Sequence, residues 1–269
     1  NTVCTTVQGL VFDDLSSTNA TARALAGALI GLSCQGNSTA ELNNVSINDK
    51  RSEDEFTGTA ILSFKPVDDL MVYASYSRGY KAGGFNLDRI QSSNGLPSGA
   101  SGVIPVADTF FPAETVDSWE FGAKTTWANG SVLFNATYFH QSFEDFQLNA
   151  FLGTSFTVQS IPGLTTQGVD ADFIWFTPLE GLSFSGGVTY TDAEYDNFTA
   201  ADLITPSTFG ALALLPGNTP AFAPEWSTSL SATFDREIGN NLRFLISASG
   251  KYMTDFNTKS DLQIGRAHV

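Results

Sequence analysis

Hydrophobic and polar residues alternate over long stretches of the chain. Between Thr165 and Asp196, Gln167, Val169, Ala171, Phe173 and Trp175 fall on one side of an extended strand, and Gly168, Asp170 and Asp172 on the other. A period of two marks a strand with two unlike faces. Pro178 and Gly181 interrupt the run, after which Leu182, Phe184, Gly186, Val188 and Tyr190 alternate with Ser183, Ser185, Gly187, Thr189 and Thr191. The unit reads as a β-hairpin with one apolar face and one face of small polar groups.

Three further hairpins repeat it. Phe56–Lys65 and Leu70–Ser77 flank a turn at Pro66–Asp69, and Trp226–Phe234 and Leu242–Lys251 flank Asp235–Asn241. Val116–Trp127 and Ser131–Gln141 meet through Ala128-Asn129-Gly130, whose Asn-Gly pair is a strong tight-turn signal. Between the hairpins, Gly79–Glu114, Phe143–Leu164 and Asp192–Pro224 read as long connections. Short turns and long connections take turns, so an antiparallel up-and-down sheet of about eight strands must carry all its short turns at one end. Residues 1–52, rich in Ser, Thr and Asn, read as a long loop in which Thr21–Leu32 has the composition of a short helix.

Alternation alone does not separate a soluble sandwich from a membrane barrel, and composition tilts the choice. Charged residues make up 15% of the chain, below the roughly 25% usual for soluble domains, and Phe alone accounts for 22 residues. No run approaches the length of a membrane helix, but barrel strands alternate and give weak hydropathy. Strands of about ten residues suit a tilted membrane crossing. Aromatics collect at strand ends (Phe64, Tyr76, Trp119, Trp127, Tyr138, Trp175, Tyr190, Trp226, Phe234) as interfacial girdles do. The net charge of −15 leaves no basic patch for nucleic acid.

The stretches Phe56–Asn86 (FTGTAILSFKPVDDLMVYASYSRGYKAGGFN), Pro112–Phe139 (PAETVDSWEFGAKTTWANGSVLFNATYF) and Gln167–Asp196 (QGVDADFIWFTPLEGLSFSGGVTYTDAEYD) resemble the β-barrel half of TonB-dependent outer-membrane receptors. The resemblance covers residues 53–258 and implies an all-β transmembrane barrel segment, part of a ring of about 22 strands with a plugged lumen, with short periplasmic turns and long extracellular loops. It implies import of a scarce nutrient (a ferric siderophore, cobalamin or carbohydrate) through a TonB complex engaged by a plug, with outer-membrane lipid and lipopolysaccharide as surroundings and no cofactor. The plug and the closing strands expected after Phe256 are missing from this pattern, so the chain reads as a fragment; 259–269 reads as a truncated end, and Ile264–Val269 (IGRAHV) matches a reading frame of a sequencing adapter. A secreted β-sandwich adhesin and a passive porin-like barrel are the alternatives.

Several residues carry candidate chemistry. Arg78 and Lys81 could attract an anionic ligand such as a metal chelate, with Tyr80 and Phe85 stacking on it; the plainer reading pairs the cations with lumen carboxylates such as Glu120 and uses the local glycines to bend the strand. Glu120, Lys124, Asp170 and Asp172 read as lumen-facing, in contact with a plug or ligand or in an ion-pair lattice. Cys4 and Cys34 could close a disulfide loop in an oxidising compartment. Asp192, Glu194 and Asp196 offer hard oxygens to calcium but lack an EF-hand spacing, and no metal site is assigned. The six N-x-[ST] triplets include Asn129 in a tight turn and Asn135 on an inward face, which argues against reading them as glycosylation signals. No nucleophile can be paired with a base: His140 sits beside aromatics at a strand end and His268 in the suspect tail, so no enzyme activity is expected.

Overall fold

The structure, a computed structural model, describes residues 50–86, 110–151, 156–204, 212–239, 242–258 and 266–267, together with 19, 21, 22, 25 and 26. Cys4 and Cys34 lie outside the described residues, as does most of Thr21–Leu32, the stretch of helix-like composition within the expected loop, of which residues 21, 22, 25 and 26 are described and helical.

The described strands in chain order are β1 (Gly58–Val67), β2 (Leu70–Lys81), β3 (Gly84–Phe85), β4 (Phe110–Phe111), β5 (Glu114–Trp127), β6 (Val132–Phe151), β7 (Phe156–Phe176), β8 (Leu182–Tyr195), β9 (Trp226–Gly239), β10 (Leu242–Met253), β11 (Phe256–Asn257) and β12 (Arg266–Ala267). Eight of them form one antiparallel sheet in the order β1-β2-β5-β6-β7-β8-β9-β10, each long strand pairing with its chain neighbours. Two two-stranded pairs, β3 with β4 and β11 with β12, stand apart. Among the described residues only these two-stranded pairs accompany the eight-stranded sheet.

The expected alternation survives as a common register. Trp119 lies opposite Tyr76 and His140, Val169 opposite Tyr138 and Tyr190, and Tyr190 opposite Trp226. At the short-turn end Trp127, Val132, Trp175, Phe184 and Ala232 form a second cross-strand row. The first set falls in two rows two residues apart, since His140 continues to Gln167, and the aromatics thus collect at both strand ends in the positions expected of girdles. Trp119 and Trp127 are separated by roughly 26 Å of strand at about 3.3 Å per residue, enough for a tilted crossing of the hydrocarbon. On this outward face of inner strands Phe121 is 52% exposed and Leu230 53%, an apolar surface that water would penalise.

The hairpin turns follow from their residues. Ala128, Asn129 and Gly130 all take positive φ (51°, 55° and 89°), and the Asn-Gly pair is what makes two such residues in succession affordable.

The connection expected at Phe143–Leu164 is instead strand: β6 runs to Phe151 and β7 begins at Phe156, paired without a change of register. Pro162, Gly163 and the Glu144-Asp145 acids resemble breakers, but the ladder absorbs them. Asp145, in a left-handed conformation (φ 53°), faces Pro162 where no rung forms, and a missing proline N–H costs nothing at such a gap. Here both strands change phase. Phe143 and Phe146 now lie on the same face, their rings 5.7 Å apart, and Phe146 reaches Tyr195 at 6.1 Å. Leu148, Ala150, Ile161 and Leu164 join Tyr195 and the connection residues Phe198, Leu203, Leu212 and Leu215 in the buried cluster. That core therefore sits beyond the outer girdle, where the connection after β8 folds over the inward face of β6–β8.

Cross-strand aromatic-on-glycine pairs tighten the sheet. Tyr73 lies over its partner Gly122, where an added Cβ would come within 2.3 Å of the ring, and its hydroxyl reaches Thr137, the next residue across (2.9 Å). One side chain so spans three strands. In the intact protein Gly122→Val should push the ring out and cost about 1–3 kcal/mol, and Tyr73→Phe, which loses the hydroxyl contact alone, about 0.5–1.5 kcal/mol. The unfolding temperature in detergent measures both; equal losses would show that the ring's seat on Gly122 contributes nothing.

Candidate functional site

The long-connection end of the sheet carries the candidate chemistry, and strand periodicity decides which side each residue serves. Arg78 and Tyr80 share the outward phase of Tyr76, whereas Lys81 shares the inward phase of Tyr73 and Ser75. The four residues Arg78, Tyr80, Lys81 and Phe85 therefore do not converge on one face. Arg78 Nη1 donates to Asp117 Oδ2 (2.9 Å) and Tyr76 Oη to Asp117 Oδ1 (2.6 Å), and the Tyr76 and Trp119 rings lie 4.7 Å apart. Arg78 thus pairs with Asp117 on the outward face rather than with Glu120. Lys81 Nζ lies 3.9 Å from Glu114 and stays 59% exposed. Phe85 belongs to the β3–β4 pair, edge-on to Phe110 at 6.3 Å.

Glu120, Lys124, Asp170 and Asp172 all share the inward phase. Each has a neighbour there: Ser75 Oγ donates to Glu120 (3.5 Å), Thr189 Oγ1 to Asp170 (2.6 Å) and Asn135 Nδ2 to Asp172 (3.0 Å), and the Lys124 ammonium lies 6.0 Å from the centre of the Tyr73 ring. Further round, the inward positions of β8, β9 and β10 hold Ser183, Ser185, Ser229, Ser231, Thr233, Ser247 and Ser249. The wall is charged and cross-linked on β5–β7; on β8–β10 it is hydroxylic in the middle and charged toward the ends, where Arg243 pairs with Asp235 and Lys251 lies opposite Ser229.

Asp192, Glu194 and Asp196 line an open cleft of about 320 Å³ with Thr165, Gln167, Tyr195 and Asn197. Gln167 Nε2 donates to Asp192 (3.2 Å) and Thr165 Oγ1 to Asp196 (3.3 Å). Among the described residues no three His, Cys, Asp or Glu side chains are grouped to hold a metal.

The most connected groups at this end were not visible in the sequence. Gln147, one of two buried polar side chains among the described residues, donates through Nε2 to the carbonyls of Lys81 (3.5 Å), Ala82 (3.1 Å) and Pro112 (2.9 Å). Its own backbone N–H goes to Glu114 Oε2 (2.7 Å). Asn86 takes both backbone groups of Val158, donating to its carbonyl (2.8 Å) and accepting its N–H (2.9 Å). Glu53 accepts the Gly83 N–H (3.1 Å) and pairs with Arg51, whose guanidinium lies 4.2 Å from the centre of the Phe110 ring. Since most of these partners are main-chain atoms, no residue pattern announces them.

Charge states at this end follow from local contacts. Burial, with Glu144 adding, pushes the Asp145 carboxyl above its usual range against the Ser160 hydrogen bond. The Thr199 N–H and hydroxyl hold Asp202 below it, within a capping box on the 3-10 turn Ala200–Asp202. Burial pushes the Tyr195 phenol up to about 12, the backbone of Ala221 opposing.

The family described as "TonB dependent receptor-like, beta-barrel" matches residues 12–266. The fold is similar to the ferric yersiniabactin uptake receptor FyuA from Yersinia pestis (21% identity, 78% of this chain and 27% of that one, TM-score 0.54) and to BauA, the ferric preacinetobactin receptor from Acinetobacter baumannii (19%, 76% and 26%, 0.51). At these identities the likeness bears on the fold. The chain spans about a quarter of the length of the solved proteins it matches.

The folded state holds the Tyr195 phenol neutral, so its contribution is complete below the unfolded value of about 10 and falls as pH rises through about 12. The intact protein should lose stability over that window, and Tyr195→Phe should remove that part of the slope. Unfolding temperatures taken in steps of pH, beside the ultraviolet titration of the phenols, measure it.

Proposed function

The chain belongs to the family of TonB-dependent receptor-like β-barrels, and we propose that it forms part of the wall and ligand-facing mouth of an outer-membrane active transporter. The observation that supports this most is the two-faced sheet: aromatic rows bound an exposed apolar outer surface, and the opposite face carries charged and hydroxyl groups. In lipid an open sheet edge would leave backbone groups unpaired at several kcal/mol each, so the strands belong in a closed ring.

The cargo we propose is an anionic metal chelate of the siderophore class. Two of the proteins it resembles are by name a ferric yersiniabactin uptake receptor and a ferric preacinetobactin receptor, and exposed Lys81, four residues before Phe85 of the Phe85–Phe110 pair, offers charge and aromatic surface to such a ligand. The remaining parts of the proposal are a plug within the ring, energy from a TonB complex acting through that plug, and lipopolysaccharide against the outer surface. Transport, not catalysis, is the role.

The test is uptake of radioactive iron, presented as a panel of ferric siderophores, by cells carrying the intact gene with TonB functional or inactivated. The expected result is TonB-dependent uptake of at least one chelate; uptake that persists without TonB would point to a passive pore instead. In the same cells Lys81→Ala should weaken chelate binding by about two- to fivefold, the scale of an exposed charge contact. Arg78→Ala should leave binding unchanged because its guanidinium is engaged on the outward face. A larger loss at Arg78 than at Lys81, read from binding isotherms, would move the ligand surface away from this mouth.

A further inference from the structure

Three segments far apart in the chain meet beyond the outer girdle: the approach to β1, the two stems of the connection between β2 and β5, and the extended β6–β7 hairpin. They are joined by directed hydrogen bonds rather than by apolar burial. Gln147 holds both stems at once, because its amide donates to Lys81 and Ala82 on the departing stem and to Pro112 on the returning one. It is 7% exposed, so a replacement without the amide donor leaves these three contacts unmade at a buried position.

A second tie lies farther along the hairpin. The pairing of β7 with β8 ends at Leu164 and Tyr195, and the Asp196 N–H bonds the Gly163 carbonyl just past it. The N–H and C=O of one residue in an antiparallel strand point the same way. Since Asn86 bonds both groups of Val158, its side chain stands where the next strand would. The third tie is Glu53 on the Gly83 N–H. The approach is close: a Cβ on Gly83 would lie 2.5 Å from the Phe111 carbonyl oxygen and 2.7 Å from Glu53 Oε1.

We propose that Gln147 and Asn86 lock the two described stems of the β2–β5 connection, residues 82–86 and 110–113, to the β6–β7 strands, so that stems and strands move as one body at the mouth and Gln147 positions the surface that carries Lys81 and Phe85. Displacement of either segment is then felt by the other, and the device acts whatever the cargo is.

The test is hydrogen exchange of the intact protein in detergent with no ligand added, read at the amides of Gly83 and Val158. Neither amide bonds to Gln147. Gln147→Glu, nearly isosteric but without an amide donor, should raise exchange at both by about tenfold or more, with the Ser185 and Ser231 amides of β8 and β9 unchanged. Asn86→Ala should in turn raise exchange at the Gln147 and Gly83 amides. The proposal is overturned if Val158 or Gly83 keeps its wild-type rate in Gln147→Glu, or if the β8 and β9 amides rise equally, which would mark a general loss of stability. Because no transport is measured, a failure here is distinct from a failure of the uptake test.

Discussion

The structure depends on one constraint: each backbone N–H and C=O between the girdles must find its partner on a neighbouring strand, since lipid supplies none. The described sheet meets it with seven antiparallel ladders. A slip of β5 by a single residue against its neighbours would exchange the faces of Trp119 and Phe121 with that of Glu120. The aromatic-on-glycine contacts act on the same geometry. Tyr73 over Gly122, Phe139 over Gly168 and Phe173 over Gly186 are directly opposed pairs, so each ring fits only in the native register.

Beyond the outer girdle the constraint persists but its solution changes. Past Tyr190 and Trp226 the strands have unequal lengths, and rungs run out on one side before the other. Side chains and loop backbone take over: Tyr195 exchanges hydrogen bonds with Gly217 and Asn218, Asn86 completes Val158, and Gln147 gathers the carbonyls of the β2–β5 stems. With water on the far side, an apolar core becomes useful again, and Tyr195, Ile161, Leu212 and Leu215 form one. The proposed ligand surface stands on this scaffold, and its precision rests on the hydrogen bonds at its root.

Much of this was legible in the residues. Period two gave each strand its faces, the Asn129-Gly130 pair gave its turn, and the common phase of Glu120, Lys124, Asp170 and Asp172 followed by counting. The β6–β7 extension did not follow. Pro162, Gly163 and two adjacent acids carry the chemistry of a loop, and they become strand only because Asp145 and Pro162 face each other at a missing rung. The cluster of Arg78, Tyr80, Lys81 and Phe85 also looked compact along the chain. Period two itself divides it, sending Arg78 to Asp117 on one face and Lys81 to the other.

The sequence by itself determined what a residue can decide from its near neighbours: strand, turn, face and the girdle positions, because these depend on local steric preference and on the alternation of burial. Only the tertiary structure decided which distant groups complete one another. Gln147 bonds carbonyls of Lys81, Ala82 and Pro112, and Asn86 bonds the backbone of Val158. Main-chain donors and acceptors are the same at every residue, so nothing in the order of amino acids marks which of them will be left without a strand partner; that is set when the ladders assemble and end at different heights.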